Sequence, residues 1–395
     1  MITRVRFVNY RSHEDSLLQL KPLTLLIGPV AAGKSNAFKG MLLIQNTVHR
    51  ALLELFPPGL GEFHWVRSRW ADETAPVGFE VELENLPDNP DQYFKYSLRL
   101  ADSPAGIYVL DETLQRQTSN APWQWVFQRR SKKHSMGEFG DVDPYEPTIL
   151  NRVWHHDTRV RMAAPGPRFT LAVAQFLSRF GYYHLEAADL KALGTGQPWE
   201  RIGYNGQRVP DFIAWAKSEA NSGVYRSILS HMRELLPELE DILVTQVQAD
   251  RQGIAMVFRG HRGYIAAPDL SDGTMFTLGM LCIAEGLQRP AVICIEEPES
   301  GLHPRRLRWL FERFVEIAHP TSGQSRCQIL FSTHSPYLVD LFSDMTDAVQ
   351  IVEQLDGRTR VTSLDEIQRK KLHDQAEHHE AVGQHWASGL YEGLM

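Results

Sequence analysis

Cysteine is scarce in this chain of 395 residues: Cys282, Cys294 and Cys327 are its only three, each inside an apolar segment and none in a C-x-x-C pair. That spacing offers neither a disulfide framework nor a zinc site, and it fits small core residues of a reducing compartment. Long hydrophobic runs are also missing. No apolar stretch approaches the roughly 20 residues that cross a bilayer, and Met1-Ile-Thr-Arg-Val-Arg-Phe breaks the start with charge, against a signal peptide. A cytoplasmic location without membrane contact is the expectation. There is no excess of positive charge either. A formal net charge of −7 excludes a surface that is basic all over, while leaving room for one basic patch on an acidic body. No internal repeat, low-complexity tract or sustained heptad is visible, which excludes a long coiled coil. The 43% hydrophobic and 23% charged content is that of an ordinary globular chain. The length allows two or three domains, or one enlarged domain with an inserted lobe.

What the chain does have is Leu23-Thr-Leu-Leu-Ile-Gly28-Pro-Val-Ala-Ala-Gly33-Lys34-Ser35-Asn36, which satisfies G-x-x-x-x-G-K-[ST] between an apolar run and a helical pattern. Leu23 to Ile27 reads as a buried strand, and Phe38, Met41, Leu42, Val48, Leu52 and Leu55 recur at helical spacing. Strand, loop and helix in this order make a phosphate-binding loop. Gly28 and Gly33 let the backbone turn its N–H groups inward, and the helix beginning near Gly33 adds its positive end. Gly28, Pro29, Val30, Ala31, Ala32, Gly33, Lys34, Ser35 and Asn36 are therefore the expected ATP contacts. Lys34 serves the β- and γ-phosphates and the Ser35 hydroxyl serves Mg²⁺.

Strands are expected at Ile2 to Asn9 and Leu17 to Leu20, with Arg11 in the turn between them, and an antiparallel meander at Gly78 to Glu84, Tyr93 to Leu100 and Gly106 to Leu114. From Trp123 to Pro165 the pattern weakens, with a basic run at Arg129 to His134 and an acidic, turn-rich stretch at Gly137 to Glu146. Helical periodicity covers Phe169 to Phe180 and Asp211 to Leu236. Strands then resume at Ile242 to Gln248, Ile254 to Arg259 and Tyr264 to Ala266. The expected organisation is an α/β protein with a mixed sheet around the phosphate loop. Residues 1–120 carry the loop and the β meander, 121–240 form an inserted basic loop and mainly helical lobe, 241–362 complete the head, and 363–395 make a terminal helix and tail.

The last third alternates strand and helix as a parallel sheet does. Asp269-Leu-Ser271-Asp272-Gly273-Thr leads into an apolar helix from Met275 to Leu287. Pro290 to Ile295 is a short buried strand ending in Glu296-Glu297. Pro304 opens a helix through Ala318, and Gln328 to Phe331 is a strand followed by Ser332-Thr-His334-Ser-Pro336. Beside a phosphate loop, two carboxylates at a strand end divide naturally into a Mg²⁺ ligand, Glu296, and a base for the attacking water, Glu297. Elsewhere such a pair is merely a solvated strand end. His334 is placed to reach a γ-phosphate oxygen, although a strand-end histidine is more often a satisfied polar residue. Ser271 and Gly273 describe either an ordinary helix cap or an anion site.

Taken together, Gly28 to Ser35, Leu270-Ser-Asp-Gly-Thr274, Glu296-Glu-Pro-Glu-Ser-Gly-Leu-His-Pro304 and Thr333-His-Ser-Pro336 stand in the order of Walker A, signature, Walker B with D-loop, and switch histidine. This set resembles the ABC-type ATPases of the RecF/Rad50/SMC-like group, most of all the short OLD-like AAA family ATPases of bacterial defence systems. The resemblance implies an enzyme that hydrolyses ATP between two head-to-tail copies, with Ser271, Asp272 and Gly273 of one copy at the nucleotide held by the other's Lys34. It also implies an early arginine, here Arg11, near the base or phosphates of the nucleotide, the alternative being a plain turn residue. Lys34, Glu297 and His334 are then the catalytic set, Ser35 and Glu296 the metal ligands, and ATP and Mg²⁺ the cofactors. The sequence departs from the transporter pattern at Asp272, Thr274 and Glu296, and its D-loop lacks the usual aspartate. A Q-loop glutamine is not assignable, Gln128 and Gln175 being the candidates.

The implied role is a nucleotide switch that controls a separately encoded effector, TOPRIM-like or other, in phage defence. A RecF-like DNA-repair ATPase and a slow ATP-gated scaffold holding a toxin are the alternatives. The basic run at Arg129 to His134 would contact DNA or RNA phosphates or lie in a solvated loop. His155, His156, His373, His378 and His379 lack metal-site spacing. Trp386 and Tyr391 in the tail would anchor a partner or pack on their own domain, and nuclease activity is expected only in trans.

Overall fold

The structure is a computed structural model that describes residues 1–57, 62–103, 106–119, 121–131, 147–155, 166–286, 289–321 and 326–365. The chain divides into two compact units, one made of Met1–Phe180 together with the segment from Asp344, the other of Gly181–Ser343.

The first unit begins with the hairpin β1 (Ile2–Tyr10) and β2 (His13–Gln19), followed by β3 (Leu23–Ile27) and α1 (Lys34–His49). All five residues of β3 are buried, as suits a strand covered on both faces. The helical run read as far as Leu55 breaks after His49, where Arg50 takes an extended conformation before the short α2 (Leu52–Leu55) and α3 (Glu62–Val66). Next come β4 (Val77–Leu86), β5 (Asn89–Ser103), β6 (Gly106–Thr118) and β7 (Gln124–Arg130), then α4 (Ile149–Trp154) and α5 (Gly166–Leu177). The sheet runs β2-β1-β4-β5-β6-β7 and is antiparallel throughout, with Val5 opposite Leu18 and Phe7 opposite Phe79. The expected meander is therefore present and one strand longer. The weakly patterned stretch after Trp123 supplies β7, because cross-strand pairing with Asp111 to Arg116 compensates for its polar composition.

The second unit opens with β8 (Phe180–Tyr183), so the helical pattern read through Phe180 stops at Leu177. It continues with α6 (Ala187–Leu190), α7 (Val209–Ala216), α8 (Ser222–Leu235), β9 (Leu239–Gln248), β10 (Arg251–Phe258), β11 (Ile265–Ala266) and α9 (Asp272–Glu285). The single helix read over Asp211 to Leu236 is two helices, parted at Lys217 and a short 3₁₀ turn at Glu219–Asn221. Its last part is β12 (Val292–Glu296), α10 (Pro304–Ala318), β13 (Gln328–Thr333) and α11 (Pro336–Asp340). β12 and β13 pair in parallel, Val292 opposite Gln328 and Glu296 opposite Ser332, with β8 beside β12. β9, β10 and β11 form a separate antiparallel sheet. α9 is buried on every side from Thr274 to Ala284, matching a sequence that is apolar all round. α10 buries only Leu307, Leu310, Phe311, Phe314, Ile317 and Ala318.

The chain then returns to the first unit with β14 (Val349–Leu355) and β15 (Arg358–Ser363), which sequence reading did not identify. β14 lies parallel to β3, Val349 opposite Leu25, and antiparallel to β15. Among the described residues no helix exceeds 16 residues, consistent with the absence of a coiled coil, and none is long and apolar enough to cross a membrane. The terminal helix and tail read after Leu364, with Trp386 and Tyr391, lie beyond the described residues.

Candidate active site

In the first unit, β3 delivers the chain into Gly28 and α1 takes it up at Lys34. A side chain at Gly28 would stand 1.9 Å from the Val352 carbonyl oxygen of β14. Gly33 has φ +111, and a Cβ there would fall 2.1 Å from Thr359 Oγ1. Both positions therefore exclude every residue except glycine, by space at the first and by space and backbone conformation at the second. Between them Pro29, Val30 and Ala31 are exposed, Val30 by 78%. Lys34 is buried, and its ammonium donates to the Gly28 and Pro29 carbonyls at 2.7 and 2.8 Å. No side chain caps α1 and no acidic residue stands in its first turn, so the positive end of the helix is not neutralised locally.

Behind the loop is a support that the sequence did not announce. Thr359 of β15 donates to the Ala32 carbonyl at 2.8 Å and bonds Ser12 Oγ at 2.8 Å, while Asn36 Nδ2 donates to the same Ser12 oxygen at 2.9 Å. His13 Nε2 lies 3.1 Å from the Gly33 carbonyl oxygen. A carbonyl only accepts, so this nitrogen carries a proton. Burial drives the His13 pKa down to about 4, against a smaller upward pull from that carbonyl. Arg11 sits in the β1–β2 turn with φ +51, half-buried, and donates to Asn36 Oδ1 at 3.2 Å. It thus touches the loop's last residue through a side chain. Ser35 is half-buried at the first turn of α1.

In the second unit, the ends of β12 and β13 carry the acids and the histidine. Glu296 is 7% exposed; its Oε1 accepts from the Tyr182 hydroxyl at 2.9 Å and its Oε2 faces His184 Nδ1 at 3.6 Å. Tyr204 donates to the Tyr182 oxygen at 3.3 Å. Burial, then the Tyr204 hydrogen bond and the Glu296 charge, push the Tyr182 phenol far up, so it remains a donor. Glu297 adopts φ +45 and its N–H donates to the Ser332 carbonyl at 2.8 Å. Its carboxylate Oε1 lies 3.3 Å from His334 Nδ1. Glu297 and His334 are both partly exposed. Glu299 accepts from the Thr333 hydroxyl, and burial raises its pKa. Ser335 is the N-cap of α11 and Pro336 its first residue, yet the Ser335 side chain makes no capping bond; its N–H is taken by Thr333 Oγ1 at 2.8 Å instead.

Ser271 caps α9, accepting from the Thr274 N–H at 3.2 Å, and Asp272 pairs with Lys191 at 2.6 Å. Ser271 and Asp272 are exposed, and a side chain on Gly273 would come within 3.0 Å of the Gly301 carbonyl oxygen. Gln128 and Gln175 are exposed on β7 and α5. Arg129 donates to the Pro147 carbonyl at 3.0 Å and Arg130 to Asp111 at 3.2 Å. The remainder of the basic run, Lys132, Lys133 and His134, lies outside the described residues, as do His156, His373, His378 and His379. His155 Nε2 contacts the His49 carbonyl oxygen at 3.0 Å. Among the described residues no group of three or more His, Cys, Asp or Glu could hold a metal unaided. Mg²⁺ takes one or two protein oxygens and completes its shell with phosphates and water; the Ser35 hydroxyl and the Glu296 carboxylate are oxygen donors of that kind.

Residues 192–340 match the family described as AAA domain, putative AbiEii toxin, Type IV TA system. That segment contains Ser271 to Gly273, Glu296, Glu297 and His334, but not the phosphate loop. An OLD nuclease of Thermus scotoductus (strain ATCC 700910 / SA-01) is 31% identical over 86 residues, which are 22% of this chain and 15% of that protein's length. Among solved structures, the SMC head domain from Thermotoga maritima aligns over 92% of this chain and 98% of its own, at 12% identity and a TM-score of 0.44.

Proposed function

We propose, from the premise that the chain is an ABC/SMC-like ATPase related to the OLD-like AAA proteins, that it works as an ATP-driven switch. The first unit holds the triphosphate. Its loop N–H groups and the start of α1 receive the phosphates, Lys34 moves from its own loop carbonyls to the β- and γ-phosphates, and Ser35 faces the metal. The second unit supplies Glu296 to the metal and Glu297 to the attacking water. Mg²⁺, when bound, neutralises phosphate charge as it develops in the transition state.

Glu297 accepts the water proton as general base. His334, 3.3 Å away, orients that carboxylate and turns its other ring nitrogen to a γ-phosphate oxygen. The different surroundings of the two acids support this division of labour: Glu296 is buried on a tyrosine, and Glu297 is partly exposed beside a histidine. This observation carries the reading.

Ser271, exposed, and Gly273, half-buried, at the start of α9 serve the nucleotide of a second copy, so that ATP binding brings two chains together and hydrolysis parts them. The output of the switch is control of an effector or a nucleic-acid transaction in phage defence. Equilibrium binding and light scattering test the reading. Lys34→Ala is expected to lose ATP binding, whereas Glu297→Gln keeps ATP and accumulates a dimer. A Lys34→Ala chain that binds and hydrolyses ATP like the native one would refute it.

A further inference from the structure

A carboxylate that holds a metal is itself held, because an unfixed ligand must be ordered each time the metal binds. Glu296 has one methylene more than the aspartate usual at this place in the transporter pattern, hence one more torsion to fix. The surroundings of its two oxygens differ. Oε1 accepts a 2.9 Å hydrogen bond from the Tyr182 hydroxyl, while Oε2 stands 3.6 Å from His184 Nδ1, too far for a hydrogen bond. Tyr182 and His184 are two residues apart at the end of β8 and point to one side, and β8 runs beside the strand that ends in Glu296.

A second tyrosine backs the first. The Tyr204 hydroxyl donates to the Tyr182 oxygen at 3.3 Å, and their ring centroids are 4.7 Å apart. The Tyr204 carbonyl also accepts the His184 N–H at 2.9 Å, so the loop carrying Tyr204 is fastened to the strand carrying the other two. A chain of hydroxyls that each donate onward strengthens the last bond in the series.

We infer that Tyr182, backed by Tyr204, is a positioning residue: it pins Glu296 Oε1 and leaves Oε2 as the oxygen that meets the divalent cation of the bound nucleotide. This rests on Glu296 being the metal carboxylate, and the test separates the two claims. Mn²⁺ bound by the full chain with a non-hydrolysable ATP analogue is followed by EPR titration for the native protein, Tyr182→Phe, Tyr204→Phe and Glu296→Gln. The analogue's affinity in EDTA and the thermal midpoint are measured alongside. Tyr182→Phe keeps the ring and removes only the donor. It is expected to weaken Mn²⁺ binding about tenfold, the lower end of what loss of an outer partner costs, with metal-free analogue affinity and melting unchanged. Tyr204→Phe is expected to weaken it about threefold, less because it acts through Tyr182. Native Mn²⁺ affinity in Tyr182→Phe, with Glu296→Gln weakened, overturns the positioning role alone. Native affinity in Glu296→Gln overturns the metal assignment and this inference with it.

Discussion

Beneath the phosphate loop and around the acids Glu296 and Asp211 the two units solve opposite electrostatic problems, although the first also buries a carboxylate, Glu112, on Tyr96. The first supports an anion-binding loop with neutral groups: His13 held neutral under Gly33, the Ser12 and Thr359 hydroxyls, and two glycines too confined for any side chain. The second keeps buried or half-buried carboxylates, Glu296 on Tyr182 and Asp211 on Arg208 and Thr195. A loop meant for phosphates gains nothing from a fixed counter-charge beneath it, whereas acids that meet a metal or organise a loop must be charged and therefore partnered. The two units should then fail differently when packing, protonation or a single hydrogen bond is disturbed.

The largest effect is expected from Gly33→Ala. It combines a left-handed backbone with a Cβ placed 2.1 Å from Thr359 Oγ1. The strain alone exceeds about 1 kcal/mol, and with the clash it should abolish measurable ATP binding by calorimetry while the second unit stays folded.

Acid distinguishes the units next. The His13 pKa is about 4 in the fold, against an ordinary value of 6.5. Between those values the unfolded chain binds a proton that the folded one refuses, so stability falls as pH drops from about 6.5 to 4, by up to about 3 kcal/mol. Asp211 behaves differently. Burial acts to raise its pKa, but the Arg208 and Thr195 hydrogen bonds outweigh it and hold it below the usual carboxylate range. Its contribution therefore persists above the unfolded value of about 3.9 and is lost only as pH falls through its own lower value. Melting curves against pH should show a loss between 6.5 and 4 that His13→Asn flattens, and a further loss below 4 that Asp211→Asn reduces, Asp15 being held low as well by Arg6.

A smaller change is predicted for Thr359→Val, which deletes the bonds to Ala32 and Ser12. At about 1 kcal/mol for each of the two bonds, ATP affinity should weaken roughly thirtyfold. Ser271→Ala should lower stability least, by about 1 kcal/mol for a lost helix cap, while reducing ATP-driven dimer formation seen by light scattering.

The same contrast explains what could be read in the sequence. The phosphate loop is contiguous, and its strand, glycines and helix are local features, so Gly28 to Ser35 was legible together with β3 and α1. Glu296, Glu297 and His334 follow short apolar strands and were legible as strand ends; α10, opened by Pro304, was found to the residue. His13 was not, because its role arises from a contact with the Gly33 carbonyl across the fold, nor was Thr359, which pairs with a segment more than 340 residues away in the chain, its N–H bonding the Ser12 carbonyl at 2.7 Å. Tyr182 and His184 escaped because the helical period before them was carried past Leu177 into β8. β7, β14 and β15 are polar on one side or short, and only their neighbours decide them.

Phosphate release by Glu297→Gln, with bound ATP quantified in the same sample, tests the central claim most directly. With the general base removed, the account predicts turnover lower by about 10² to 10⁴ and ATP occupancy at the native level or above. Turnover at the native rate would contradict it.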